Sequence, residues 1–235
     1  MATFVIVHGA WGGGWEWREV EARLRAAGHE VNRPTLTGLG ERSHLLSPAI
    51  DLDTHVTDVL AVLEFEDLRD VVLVGHSYGG MVVSGVVDRD AAGRVARVVF
   101  VDALVPRDGE CVLDLVPPPL AQELRSLAGG GDALPLPVPH EQAVASRGAW
   151  YAERGRDHPF RTFTQPIRLR AEPGAGRPCA YIRTTAEPDT VALLELSVSR
   201  AGEAGWPIEE IATHHDPQVA DPAGLTALLV TAAAA

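Results

Sequence analysis

Apolar residues along the chain fall into two kinds of set, short unbroken runs and helically spaced positions, and the two alternate. Phe4-Val5-Ile6-Val7 is a β-branched-rich run with no polar interruption, the mark of a strand covered on both faces. Val20, Leu24 and Ala27 share one face of a helix predicted over 15–27, which Gly28 is placed to end. Val31 marks a short second strand stopped by Pro34, and 35–50 reads as loop. From Asp51, the positions Leu52, Val56, Val59, Leu60 and Leu63 predict a helix. Val71-Val72-Leu73-Val74 is a third strand, 79–87 a helix and 95–101 a fourth strand. Further on, 180–182 and 207–211 read as strands around a helix over 191–198, and Asp221-Pro222 opens a last helix as N-cap and first-turn proline. Strand and helix in alternation predict an α/β fold: three layers, with a mainly parallel six-stranded sheet between helices.

One stretch breaks the alternation. Residues 103–173 hold ten of the seventeen prolines and the Gly129-Gly130-Gly131 run, so a single crossover helix cannot fill them. A long insertion of this kind inside a compact α/β domain is usually functional. We expect one domain over 1–235, carrying an inserted cap at 103–173.

Composition narrows the chemistry. The 235 residues carry a net charge of −12, which disfavours nucleic acid and anionic membranes as partners. No apolar run approaches the ~18 residues that span a bilayer. The amino terminus enters a strand with no basic region before it, so no signal peptide is expected and the cytoplasm is the expected location. Two cysteines, Cys111 and Cys179, support neither a disulfide framework nor a four-ligand zinc site. All twenty basic residues are arginine. The absence of lysine excludes a Schiff-base lysine and a Walker-type phosphate site.

Gly75-His76-Ser77-Tyr78-Gly79 fits G-x-S-x-G, with an apolar strand before it and a helix directly behind. That setting is what a nucleophile elbow requires, and it makes Ser77 the candidate nucleophile. A serine hydroxyl needs a base. Of nine histidines, His8 ends the first strand and His76 points away from Ser77 on a sharp bend. His29, His44, His55, His140 and His158 are expected at the surface. His214 and His215 follow the last strand, in the chain order serine, acid, histidine; adjacent residues point apart, so only one of them can serve. Two acids compete. Asp102 closes a wholly apolar strand and needs a buried partner, because desolvating an unpaired carboxylate is costly, whereas Glu187 is better explained by helix capping. The oxyanion hole would use the backbone N–H of Tyr78 and of Ala10, the latter in the glycine-rich loop after the first strand. That loop fails G-x-G-x-x-G spacing, and no metal-binding motif occurs, so neither a cofactor nor a metal is expected.

These residues resemble the α/β-hydrolase superfamily, and within it the small, lidded esterase and hydroxynitrile-lyase-like branch. The resemblance rests on His8-Gly9-Ala10-Trp11, on 34–42, on the elbow with Gly80, on 101–106 and on His215-Asp216, and it is thinnest over 110–160. The 34–42 and 101–106 segments look like those of a bacterial esterase subgroup. In such relatives a Gly-His-Asp motif carries the catalytic histidine, which maps it onto His215 and leaves His214 where glycine is usual. The match around Asp102 supports that residue as the acid. Hydroxynitrile lyases of the branch use an active-site lysine, and this chain has none.

The resemblance and the residues together imply a serine hydrolase for a small to medium apolar ester or lactone, with Trp11 and Trp150 among its substrate contacts. Cofactor-free lyase, cyclase or oxygenase chemistry, and a ligand receptor, are the rival uses of such a scaffold. A homodimer is left open.

Overall fold

A computed structural model describes residues 1–137 and 148–234. The strands run β1 (Thr3–Val7), β2 (Glu30–Asn32), β3 (Val71–His76), β4 (Val95–Val101), β5 (Ala133–Leu134), β6 (His158–Pro159), β7 (Cys179–Thr184) and β8 (Ile208–Ile211). Six of them form one sheet in the order β2-β1-β3-β4-β7-β8, with every neighbouring pair parallel. The sheet is thus wholly parallel among the described residues. Side chains alternate between two apolar layers. Val5, Val7, Leu73, Val98, Phe100 and Tyr181 face one core, while Phe4, Ile6, Val72, Val74, Val99 and Ile182 face the other. This double burial is why the strand sequences show no polar alternation.

Helices α1 (Arg18–Ala26), α2 (Leu52–Phe65) and α3 (Gly79–Arg89) follow the first three strands. Asp51 caps α2 in a reciprocal box with Thr54: its carboxylate accepts from the Thr54 N–H at 3.0 Å, while the Thr54 hydroxyl accepts from the Asp51 N–H. The predicted helix over 15–27 differs at its start, where Gly14–Trp17 winds as a 3₁₀ turn. A second 3₁₀ turn, Gly40–Leu45, occupies part of the predicted loop.

The described residues of 103–173 are more regular than the proline content suggests. They contain α4 (Val112–Leu115), α5 (Pro118–Ala128), α6 (Ala149–Ala152) and α7 (Arg161–Thr164), and β5 pairs with β6 antiparallel. Pro118 and Pro119 stand at the start of α5, where a missing N–H costs nothing. Polar contacts tie the insertion to the body. The Gln165 amide accepts from the Leu52 N–H at 2.7 Å and donates to Asp53, and Glu110 holds buried Arg200 through two bonds of 2.6 and 2.7 Å.

Beyond the insertion, α8 (Pro188–Glu203) is longer than the predicted 191–198, because its ends are polar or proline and carry no apolar period. α9 (Pro217–Ala220) and α10 (Pro222–Ala234) close the chain, with the Asp221 carboxylate accepting from the Gly224 N–H at 2.8 Å as the expected cap. β8 begins one residue later than predicted and exposes Ile208, Glu209 and Glu210 at the sheet edge. The order of strands reverses between β1 and β3: the chain leaves β1 toward β2 on one side and returns to β3 on the other. Loops diverge at such a point, opening a crevice beyond the carboxyl ends of the two strands.

Candidate active site

The crevice is built around Ser77. β3 ends at His76, α3 starts at Gly79, and the two residues between turn the chain so tightly that Ser77 takes φ +53°, a left-handed angle that non-glycine residues adopt only when the surroundings force it. The forcing contacts are backbone ones. The Ser77 N–H donates to the Val101 carbonyl, and the Ser77 carbonyl accepts from the N–H groups of Gly80 and Leu104, all at 3.0–3.2 Å. Neighbouring chains cross so closely that a Cβ on Gly79 would lie 2.6 Å from the Val7 carbonyl oxygen, and one on Gly80 would strike the Leu104 carbonyl. Only glycine fits at both positions.

The loop after β8 brings His215 to the same edge. Its Nε2 lies 2.8 Å from Ser77 Oγ and its Nδ1 2.7 Å from Asp102 Oδ2. His214 is turned aside, with its Nδ1 accepting from the Asp216 N–H at 3.1 Å. Asp102, at the end of β4 and only 1% exposed, is itself left-handed at φ +44°. Burying a carboxylate is tolerable here because it is fully engaged. One oxygen accepts from the Thr184 N–H at 3.0 Å, and the other from the Thr184 hydroxyl at 2.7 Å and from His215. Glu187 lies exposed, accepting from the Thr190 hydroxyl, away from this cluster. His76 is buried beneath His215: its Nε2–H donates to the His215 carbonyl at 2.8 Å, and burial lowers its pKa to about 4.

Ala10, Trp11, Ser77, Tyr78 and His215 surround one end of a cavity of ≈ 220 Å³. Among the described residues its remaining wall is apolar: Leu193 and Leu194 from the body, and Leu104, Val112, Val116, Leu120, Leu124, Leu136, Pro137 and Phe163 from 103–173. Trp150 departs from the expectation. It lies outside this cavity, held between the guanidinium groups of Arg18 (4.1 Å) and Arg154 (4.0 Å) and against the ring of Trp15. Cation–π contact on the ring accounts for that placement. Trp17 is fully buried, and Trp15 packs on Trp150 and Tyr151.

Three more histidines lie beside the site, and two of them contradict the expectation of surface positions. His8, His55 and His158 are all fully buried. His55 donates from Nε2 to the Thr37 carbonyl, leaving Nδ1 to accept from the Tyr78 hydroxyl at 2.9 Å. His8 donates from Nδ1 to the Gly9 carbonyl at 2.7 Å and accepts the Leu36 N–H at Nε2. Desolvation holds all three neutral, lowering His8 to about 3 and His55 to about 4, and His158 well below the usual range. A signal for His55 existed: it lies three residues after Leu52 and four before Val59, on the apolar face of α2. His158 had none, being brought in by the insertion. His140 lies outside the described residues. Among the described residues no three His, Cys, Asp or Glu side chains gather as a metal site.

Residues 4–228 match the alpha/beta hydrolase family. The chain belongs to the α/β-hydrolase family. It is 38% identical over 233 residues to the carbendazim hydrolyzing esterase of Nocardioides sp. (strain SG-4G), an alignment covering 94% of this chain and 96% of that one. Methylesterase 7 of Arabidopsis thaliana is 37% identical over 105 residues, covering 44% of this chain and 40% of the relative. Among solved structures, an extracellular α/β-hydrolase from a Paenibacillus species superposes with a TM-score of 0.84 at 24% identity, covering 99% of both chains. With esterases as its relatives, the protein is a serine ester hydrolase.

Proposed function

We propose that this ester hydrolase works through an acyl-enzyme on Ser77, with His215 as base, Asp102 as orienting acid and the N–H groups of Ala10 and Tyr78 as oxyanion donors. The observation that carries the reading is the unbroken relay Ser77 Oγ–His215 Nε2 (2.8 Å) and His215 Nδ1–Asp102 (2.7 Å) at the mouth of an apolar cavity. His215 takes the serine proton as Oγ attacks the ester carbonyl, and the carboxylate of Asp102 stabilises the imidazolium. The carbonyl oxygen gains charge facing the two backbone donors, where preorganised dipoles are most effective. His215 then returns the proton to the departing alkoxide. Water, deprotonated by the same imidazole, releases the acid and restores Ser77.

Among the described residues, the cavity wall beyond the relay carries no charged side chain. It therefore suits a neutral ester or lactone of small to medium size, since a carboxylate or ammonium group would be desolvated there without a partner. The names of the methylesterase and carbendazim-hydrolysing relatives make methyl esters and carbendazim the first compounds to try. In this reading 103–173 is a cap on a single domain, the partner is a small molecule, and no cofactor takes part. Cys111 and Cys179, both buried and unbridged, fit a reducing cytoplasm. No described helix is long and apolar enough to cross a membrane.

A fluorophosphonate probe tests the reading. Rapid one-to-one labelling at Ser77, with p-nitrophenyl ester turnover lost in Ser77→Ala by roughly 10⁴-fold or more, is the expected result. A folded Ser77→Ala variant that keeps its turnover would remove Ser77 from the reaction.

A further inference from the structure

The residue after Ala10 is held in an unusual way. Trp11 has φ +61°, a left-handed angle for a bulky side chain, and all three of its polar groups are bonded to the 103–173 insertion. Its backbone N–H donates to His158 Nδ1 at 3.3 Å, its indole N–H donates to the Leu134 carbonyl at 2.9 Å, and its carbonyl accepts from the Arg156 N–H at 3.0 Å. Leu134 and His158 are register partners in the β5–β6 ladder, so two of the three anchors come from one paired unit.

These bonds bear on Ala10. A peptide plane fixes an N–H antiparallel to the carbonyl before it. His8 Nδ1–H holds the Gly9 carbonyl, which sets the plane carrying the Ala10 N–H. On the other side, His158 holds the Trp11 N–H, which sets the next plane. With both flanking planes fixed, the backbone angles of Ala10 are fixed too. His158 can play this part only as a neutral imidazole with its proton on Nε2. Thr162 secures that tautomer: its hydroxyl donates to the Pro159 carbonyl, leaving its oxygen to accept from His158 Nε2–H at 2.8 Å. The ring is fully buried among Trp11, Tyr78 and Phe163, with centroids 4.8–5.9 Å apart.

We propose that the insertion, besides walling the cavity, sets the oxyanion loop through Trp11, with His158 as the positioning residue. The proposal rests on the reading that the Ala10 N–H is an oxyanion donor. Seating of the ladder on Trp11 completes the catalytic constellation, so a displaced cap leaves Ser77, His215 and Asp102 intact but the oxyanion poorly held.

Steady-state kinetics on a p-nitrophenyl ester separates this role from simple packing. His158→Leu removes the acceptor and fills the space, while in His158→Asn a side-chain oxygen stands near the place of Nδ1. We expect His158→Leu to lower kcat roughly 10- to 100-fold, a fraction of what loss of an oxyanion donor costs, with KM within about twofold. Labelling of Ser77 by the fluorophosphonate should slow in parallel, and His158→Asn should recover most of both. An unchanged kcat, a change in KM alone, or equal values for Leu and Asn overturns the proposal. Should His158→Leu fail to fold, Thr162→Val decides: a severalfold fall in kcat at constant KM upholds it, and wild-type kinetics overturns it. Retained turnover in Ser77→Ala is the separate result that removes the underlying reading.

Discussion

The edge of the sheet and the cavity-facing side of the insertion above it are built by opposite means. At the edge, Ser77 and Asp102 are both left-handed, the Ser77 carbonyl and the Asp102 carboxylate are saturated with hydrogen bonds, and Gly79 and Gly80 admit no side chain. Every atom there is over-determined. The insertion presents Val112, Leu120 and Leu124 from two short helices, and Val116 from the link between them, which meet the cavity through apolar contact alone. Apolar contact is non-directional, and cores tolerate exchange of one hydrophobic group for another at modest cost. The contrast assigns the two tasks of an esterase to different physics: reaction geometry to directional bonds, substrate fit to a surface that can be recut.

Breaking the directional side should therefore cost most. Asp102→Asn leaves shape intact but reverses the bond to His215 Nδ1, so kcat should fall by about 10⁴. Glu187→Gln, measured beside it, should stay within twofold; the opposite pair of outcomes would move the acid to Glu187. Next comes Gly79→Ala. Its Cβ would meet the Val7 carbonyl oxygen at 2.6 Å, so the elbow must shift, and we expect a loss of several kcal/mol in urea unfolding together with loss of turnover. Stability at the edge should also depend on pH. His8, His55 and His76 stay neutral in the fold down to about 3, 4 and 4, whereas an unfolded imidazole protonates near 6.5. Between pH 6.5 and 4 the unfolded chain binds protons that the folded chain does not, so stability is complete above 6.5 and falls with acid. Each histidine contributes about 2 kcal/mol of that loss between pH 6.5 and 5. Urea midpoints across this range measure it, and His76→Asn should flatten the slope. The smallest effect belongs to the malleable side: Leu124→Ala should change the preference among acyl chain lengths severalfold while leaving kcat on the best substrate near wild type. An unchanged preference would mean that α5 does not shape specificity.

Legibility from sequence follows the same division. Local rules place the elbow, because a buried strand, a tight turn and a helix are each written within a few adjacent residues. The burial and pairing of Asp102 are readable from the cost of ending an apolar strand in a carboxylate. His215 over His214 needed the family resemblance, since adjacent residues on a loop carry no period. The insertion was visible only as a gap in the pattern. Its short helices of four to eleven residues give too few turns for periodicity to register. His158 and Trp150 were misplaced for that reason. Their partners, Trp11 and Thr162 for one and Arg18 and Arg154 for the other, are set by how the insertion folds back. His55 could have been read from its place on the apolar face of α2, as a buried histidine tied to the phenol of Tyr78.

The acidic rim at β8 bears on self-association. A strand with one open side is a template onto which another polypeptide can knit its own backbone. Here that side shows Glu209 and Glu210, so two such margins brought together repel, and the opposite margin at β2 is only three residues long. Charge at one margin and shortness at the other are both features by which a sheet discourages a further strand from joining it.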